Sequence, residues 1–212
     1  VLGANDGILS TGALLLGVAS AGADETQILF AGIAGLTAGA ASMALGEYVS
    51  VSSQRDVEQV ERSMEAIEIE EDPEGELAEL TGIYEARGLT PELASSVAQQ
   101  LMEIDPLEAH LRDELGQTDM TRAKPLEAAV SSFFSFAVGA ALPLAVAALA
   151  PAGIRGIAIA VATLLGLLAL GALAARLGGA NLGRGALRVG VGGAVALALT
   201  FAIGSLLGTS AL

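Results

Sequence analysis

Five stretches of about twenty mostly apolar residues set the terms for this chain, because a run of that length is what a helix needs to cross a bilayer. They extend from about Leu2 to Ala23, Ile28 to Val49, Ala128 to Ala150, Ile154 to Ala175 and Leu187 to Leu207. In lipid the backbone must satisfy its own hydrogen bonds, so such runs fold as helices. The turns between them are short and polar or carry Gly and Pro: Asp24-Glu25, Pro151-Ala-Gly153, and Gly178 to Arg184. The expected fold class is all-α, a polytopic membrane protein of about five transmembrane helices in a lipid bilayer. A small helical domain is inserted between the second and third. Expected boundaries are 1–50 for spans one and two, 51–124 for the insert, and 125–212 for spans three to five. The first apolar run has no basic flank and no clear cleavage site, so it reads as a helix rather than a signal peptide.

Charge is scarce and unevenly placed. Only 16% of residues are charged, against about a quarter in soluble domains. Twenty of the 24 acids fall between Asp56 and Glu127, so the net charge of -14 belongs to the insert. Such a segment repels nucleic acid and attracts cations, and no nucleic-acid partner is expected. Cysteine is absent, which excludes disulfides and thiolate metal sites. Oxygen, imidazole and thioether donors remain, a set suited to Fe, Mn, Mg or Ca. The sequence has no Walker loop, nucleophile elbow or HExxH, so neither an ATP-driven pump nor an enzyme is expected.

Basic residues orient the spans. With the insert in the cytoplasm, Arg55, Arg62, Arg87, Arg112, Arg122 and Lys124 lie inside, as do Arg176, Arg184 and Arg188 after span four. Only Arg155 is then outside. The N-terminus is expected to be cytoplasmic and the C-terminus external, and the compact, loop-poor chain points to a bacterial inner membrane.

Within the insert, Val57, Val60, Met64 and Ile67 recur at helical spacing, so span two is expected to continue as one long helix ended by Pro73. Leu77, Leu80 and Tyr84 mark a second helix, stopped near Gly88. Thr90-Pro91 and Asp105-Pro106 each read as an N-cap followed by Pro at the first helical position. The last helix carries the stripe Leu107, Leu111 and Leu115.

Small residues crowd the spans. Gly3 and Gly7, and Gly35 and Gly39, form GxxxG steps that serve either packing within one chain or a dimer face. Ionisable groups in spans are functional candidates by default. Asp6 and Glu47 lie near the cytoplasmic ends of spans one and two, and Met43 is one turn before Glu47 on the same face. Two carboxylates and a thioether suit a transition-metal ion in transit, and either carboxylate can take a proton when the metal leaves. The bland alternative is that Asp6 caps span one and Glu47 sits in the interface. In the insert, Glu58, Glu61, Glu65, Glu68 and Asp72 form an acidic stripe beside the apolar one. Glu76 and Glu79 are one turn apart on the next helix, and His110 and Glu114 are four apart on the last. Facing helices hold iron and manganese with such carboxylates, although a solvated acidic face gives the same pattern.

The motifs Gly3-Ala-Asn-Asp-Gly7 with Ser10-Thr11, and Ala41-Ser42-Met43-Ala44-Leu45-Gly46-Glu47-Tyr48-Val49-Ser50, resemble the first two helices of the vacuolar iron transporter family. Gly139-Ala-Ala-Leu-Pro143 and Leu187-Arg188-Val-Gly-Val-Gly-Gly193 resemble its later spans, so the resemblance covers essentially the whole chain. It implies a homodimer with five spans per subunit that exports cytosolic Fe2+, with Mn2+ as a second substrate, in exchange for protons, and it implies no organic cofactor. It matches Asp6 and Met43 to the transport path. It matches the insert to a cytoplasmic metal-binding domain, in which Glu65, Glu68, Glu76, Glu79 and Glu114 correspond to the metal-binding acids. Two positions depart. Gly35 stands where some plant members carry a Glu, and His110 and Leu111 stand where those members have a Met pair; His110 is expected to substitute as a ligand. Competing readings are a Mn2+-selective exporter, a membrane-bound ferroxidase or iron-storage protein, and a metal-independent scaffold.

Overall fold

A computed structural model describes residues 1–118 and 121–210. Among them are the α-helices α1 (Leu2–Ser20), α2 (Glu25–Glu71), α3 (Pro73–Ala86), α4 (Pro91–Ile104), α5 (Pro106–Asp113), α6 (Pro125–Leu149), α7 (Arg155–Leu177) and α8 (Leu182–Ser210), with a 3-10 turn at Ala152–Ile154. The described residues contain no strand. Helices α1, α2, α6, α7 and α8 are long and apolar enough to cross a membrane, so the all-α, five-span class stands. The chain divides into two compact units, Val1–Glu47 with Leu126–Leu212, and Tyr48–Pro125.

In the first unit α1 is the least apolar of the five, with a mean hydropathy of 1.3 against 1.8–2.5. It is also the most enclosed, with 39% of its apolar window buried against 17–28% for the others. Thr11 is enclosed by protein, as the cost of a polar group in hydrocarbon favours, Asn5 and Asp6 are half-buried, and Ser10 is exposed. Helix α1 packs against α7 and α8 and meets α6 through glycine. A Cβ on Gly7 would run into the Phe136 carbonyl and lie 2.8 Å from Ala140 N. Leu15 and Leu14 of α1 fill the space over Gly32 and Gly35 of α2, and the Phe136 ring of α6 lies over Gly39. Both GxxxG steps thus serve packing within the protomer.

Helix α8 begins at Leu182 rather than near Leu187. Gly178 to Asn181 form the expected turn, but Leu182–Arg184, read as its end, are already helical, with Asn181 Oδ1 accepting from Arg184 N at 3.0 Å in an N-cap bond. Gly185 allows close approach instead of a turn, since a Cβ there would lie 2.7 Å from Gly171 O of α7. Arg155, only 7% exposed, donates from Nη2 to Glu25 Oε2 at 2.7 Å and from Nε to Ala150 O at 3.2 Å.

In the second unit α3, α4 and α5 pack around Leu80, Tyr84, Ala94, Ala98 and Ala109. Asp72 and Asp105 cap α3 and α5, accepting from Gly75 N and Glu108 N at 3.0 Å each. Thr90, which has the same sequence signature before α4, makes no side-chain cap bond. Helix α2 runs through to Glu71 without a break. Its facing is the reverse of an ordinary amphipathic helix: Val57, Val60, Met64 and Ile67 are each more than half exposed, while Glu65 is 4% exposed.

Candidate metal centre

Helix α5 places His110 at the bottom of the second unit's acidic hollow, fully buried. Its Nδ1 faces three carboxylates: Glu65 Oε1 of α2 at 3.1 Å, Glu114 Oε2 at 3.2 Å and Glu76 Oε2 of α3 at 3.6 Å. Only the Glu114 contact has hydrogen-bond geometry. Glu65 Oε1 is buried without a hydrogen-bond partner despite its proximity to the ring. One donor atom from each of Glu65, Glu76 and His110 lies within 4.8 Å of the other two. Metal–ligand bonds of about 2.0–2.2 Å place neighbouring donors about 3–3.5 Å apart; the Glu65 and Glu114 distances to His110 fall in that range and Glu76 stands slightly outside it.

The electrostatics agree. Burial, then the charge of Glu114, pushes the Glu65 carboxyl up to about 7; Glu76 and Glu68 add to this and His110 opposes it. Glu76 is raised by burial first, with Glu79, Glu68 and Glu114 adding and His110 opposing. Several acids held together out of water must take up protons or a cation.

Of the acids named from the sequence, Glu65, Glu76 and Glu114 converge on His110. Glu68 and Glu79 are exposed and act on the centre through their charge. Glu61 is engaged elsewhere, accepting from Gln117 Nε2 at 2.6 Å. A network that the sequence reading missed holds α5 in place. Asp113 Oδ2 accepts from Tyr84 Oη at 2.7 Å and from Arg112 Nη2 at 2.6 Å, and Arg87 Nη1 donates to Oδ1 at 2.6 Å. Burial works against the Asp113 carboxylate, but these bonds outweigh it and bring the group to about 2. The only sequence signal was the one-turn spacing of Tyr84 and Arg87.

The membrane unit carries a cleft of about 210 Å³ with both polar and apolar walls. Asp6, Ser10, Thr11 and Leu14 of α1, Ser42 and Met43 of α2, and Phe136 of α6 line it, with Gly35 and Gly39. Asp6 lies a full turn inside α1, whose N-cap is Val1, so it does not cap the helix. It accepts from Ser10 Oγ at 2.5 Å. Glu47 is exposed and does not line the cleft. Thr11 had entered the sequence reading only as part of a motif.

Five helices long and apolar enough to cross a membrane, a cleft among three of them that holds Asp6, and a carboxylate–imidazole cluster in a separate acidic unit define an integral multi-pass membrane protein that carries ionisable and metal-competent groups. The chain belongs to the VIT family, whose profile matches residues 1–205. It is 45% identical over 207 residues to the vacuolar iron transporter of Acanthamoeba castellanii, covering 97% of this chain and 76% of the relative. Vacuolar iron transporter homolog 1 of Oryza sativa subsp. japonica is 35% identical over 211 residues, covering 98% and 72%. Vacuolar iron transporter homolog 2.1 of Arabidopsis thaliana is 33% identical over 215 residues, covering 100% and 81%. These relatives are named as transporters or their homologs, not as enzymes.

Proposed function

We propose that the protein is a divalent-metal transporter that carries Fe2+, with Mn2+ as a second substrate, out of the cytosol in exchange for protons. The observation that carries this reading is the unpaired, buried Glu65 Oε1 set 3.1 Å from His110 Nδ1 beside two further carboxylates. Such a group is costly unless a cation arrives to share it. The names of the relatives supply the substrate class.

In this reading residues 51–124 form a cytoplasmic domain that gathers metal, with Glu65, Glu76, His110 and Glu114 as ligands. Glu68 and Glu79 draw the cation in, and Glu61 of α2 holds Gln117 rather than the metal. Asp6 and Met43 hold the ion on its way through the span, and Glu47 stands at the entrance. Asp6 takes up a proton when the ion departs, which couples the two fluxes. The thioether of Met43 favours Fe2+ over harder ions, whereas the oxygen and imidazole donors of the acidic unit suit Fe2+ and Mn2+ alike. The distribution of basic residues supports a cytoplasmic N-terminus and insert and an external C-terminus, in a membrane such as a bacterial inner membrane. A homodimer is supported by the exposed stripe of Val57, Val60, Met64 and Ile67, which one chain leaves uncovered outside the membrane spans.

Flux into proteoliposomes tests the reading. Fe2+ uptake driven by a pH gradient, lost in an Asp6→Ala, Met43→Ala double variant, is the expected result. Unchanged uptake in that variant would remove the cleft from the path. Competition by Mn2+ in the same assay ranks the two ions.

A further inference from the structure

Hydroxyl side chains in membrane helices ordinarily bond back to a carbonyl of the preceding turn, because nothing else in the span can satisfy them. Several of those in this protein do so. Thr37, Thr200 and Ser205 donate to the carbonyl four residues back at 2.8, 2.6 and 2.9 Å, and Ser20 donates to Gly17 O at 2.9 Å. Thr11 and Thr163 do not. They are 1% and 0% exposed, and both hydroxyl oxygens lack a partner. A buried polar group left unpaired costs about 1–3 kcal/mol, so each of these two asks for a reason.

Their surroundings differ. The Thr163 side chain lies directly over Gly12, where a Cβ would lie 2.7 Å from its Cγ2, and it is absent from the cleft lining. Its hydroxyl is a packing group against a neighbouring helix. Thr11 lines the cleft that contains Asp6 and Met43. It is the middle residue of α1, about 14 Å from the start of that helix and about 7 Å beyond Asp6 at 1.5 Å per residue. That is near half the depth of a hydrocarbon core of about 30 Å. An oxygen left without a partner at this depth, on a residue that lines the cleft, is a site suited to something that crosses the span.

We propose that Thr11 Oγ1 is a ligand for the divalent cation on the transport path, taking it over from Asp6 and replacing one water of its hydration shell. The inference rests on the transport reading given above. The hydroxyl keeps its proton and offers a lone pair, so no charge is created at mid-membrane. A neutral oxygen holds a divalent ion more weakly than a carboxylate, which a path needs if the ion is to leave again.

The test uses the full chain in proteoliposomes, with initial Fe2+ uptake measured as a function of Fe2+ concentration. Thr11→Val keeps the branched shape and removes the oxygen. It is expected to raise KM about tenfold, the equivalent of one lost polar contact. Thr11→Ser is expected to restore near wild-type KM, and Thr163→Val to leave it unchanged. Thermal unfolding of Thr11→Val is not expected to fall, since its hydroxyl makes no internal bond. If Thr11→Val does not fold, Thr11→Ala is read in its place. A wild-type KM in the variant lacking the hydroxyl overturns the proposal. So does an equal defect in Thr11→Ser, or an equal defect in Thr163→Val. Asp6→Asn separates the two levels. If it abolishes uptake while Thr11→Val is silent, only the role of Thr11 falls. If both are silent, the path itself is wrong and the proposal falls with it.

Discussion

Tyr84 on α3 donates its hydroxyl to Asp113 Oδ2 at 2.7 Å, which ties α3 to the turn of α5 that carries His110 and Glu114. The proposed metal ligands His110 and Glu114 thus owe their position to a group outside the cluster. Asp113→Asn is expected to lower unfolding free energy by about 1–2 kcal/mol, a modest figure because Arg87 and Arg112 are each nearly half exposed. The carboxylate sits below its ordinary 3.8, at about 2. Its contribution is therefore present above 3.8 and is lost only as pH falls through about 2. Chemical denaturation of wild type and variant at pH 7 and pH 3 checks both statements.

Removing His110 takes away the centre's sole nitrogen donor. Loss of an outer-shell partner at a metal site already costs about 10–100-fold, so His110→Ala is expected to weaken binding by at least about 100-fold. Glu61→Gln is expected to leave affinity unchanged, because Glu61 is bonded to Gln117 rather than to the cluster. Calorimetric titration of Mn2+ into the detergent-solubilised protein compares the two.

The raised Glu65 carboxyl gives the centre a pH signature. Its folded value of about 7 lies above the ordinary 4.5. In metal-free protein the protonated group therefore adds stability that is complete below 4.5 and is lost as pH rises through about 7. Metal needs the bare carboxylate, so affinity runs the other way and falls as pH drops through that range. The melting temperature of the metal-free protein is expected to decline from pH 5 to pH 8, and added Mn2+ is expected to reverse the decline. Glu65→Gln should flatten both curves.

Glycines at two kinds of position should respond oppositely to alanine. Gly7→Ala drives a methyl into the α6 backbone at Phe136 and Ala140, and should cost about 1–3 kcal/mol or more through overpacking. Gly82 on α3 has nothing within 4 Å of an added Cβ. Gly82→Ala should therefore stabilise by about 0.5–1 kcal/mol through helix propensity. Recovery of monodisperse protein on size exclusion reports the first, and denaturation midpoints report the second.

Much of this architecture could be read before any coordinates, since apolar length and helical period act locally. The spans of α1, α2, α6 and α7 and the unbroken run of α2 to Glu71 follow from that alone. The start of α8 was misjudged because glycine signals both turns and close helix contact, and only the partner Gly171 decides which. The acidic stripe of α2 was visible as a stripe. Its inward facing was not, because burying an acid in preference to Val57 and Val60 makes sense only once His110 and Glu76 stand opposite Glu65. Pairings such as Tyr84 with Asp113 link residues far apart in sequence, and no periodicity encodes them.

Helix α1 has the weakest claim on lipid of the five and the largest buried share. Left alone in a bilayer it would expose Asn5, Asp6, Ser10 and Thr11 to hydrocarbon, a poor state for a single helix to hold. Its secure place in the membrane has to wait for α6, α7 and α8 to be made and to close around it. Truncations that remove α7 and α8 are therefore expected to weaken the membrane retention of α1 as well.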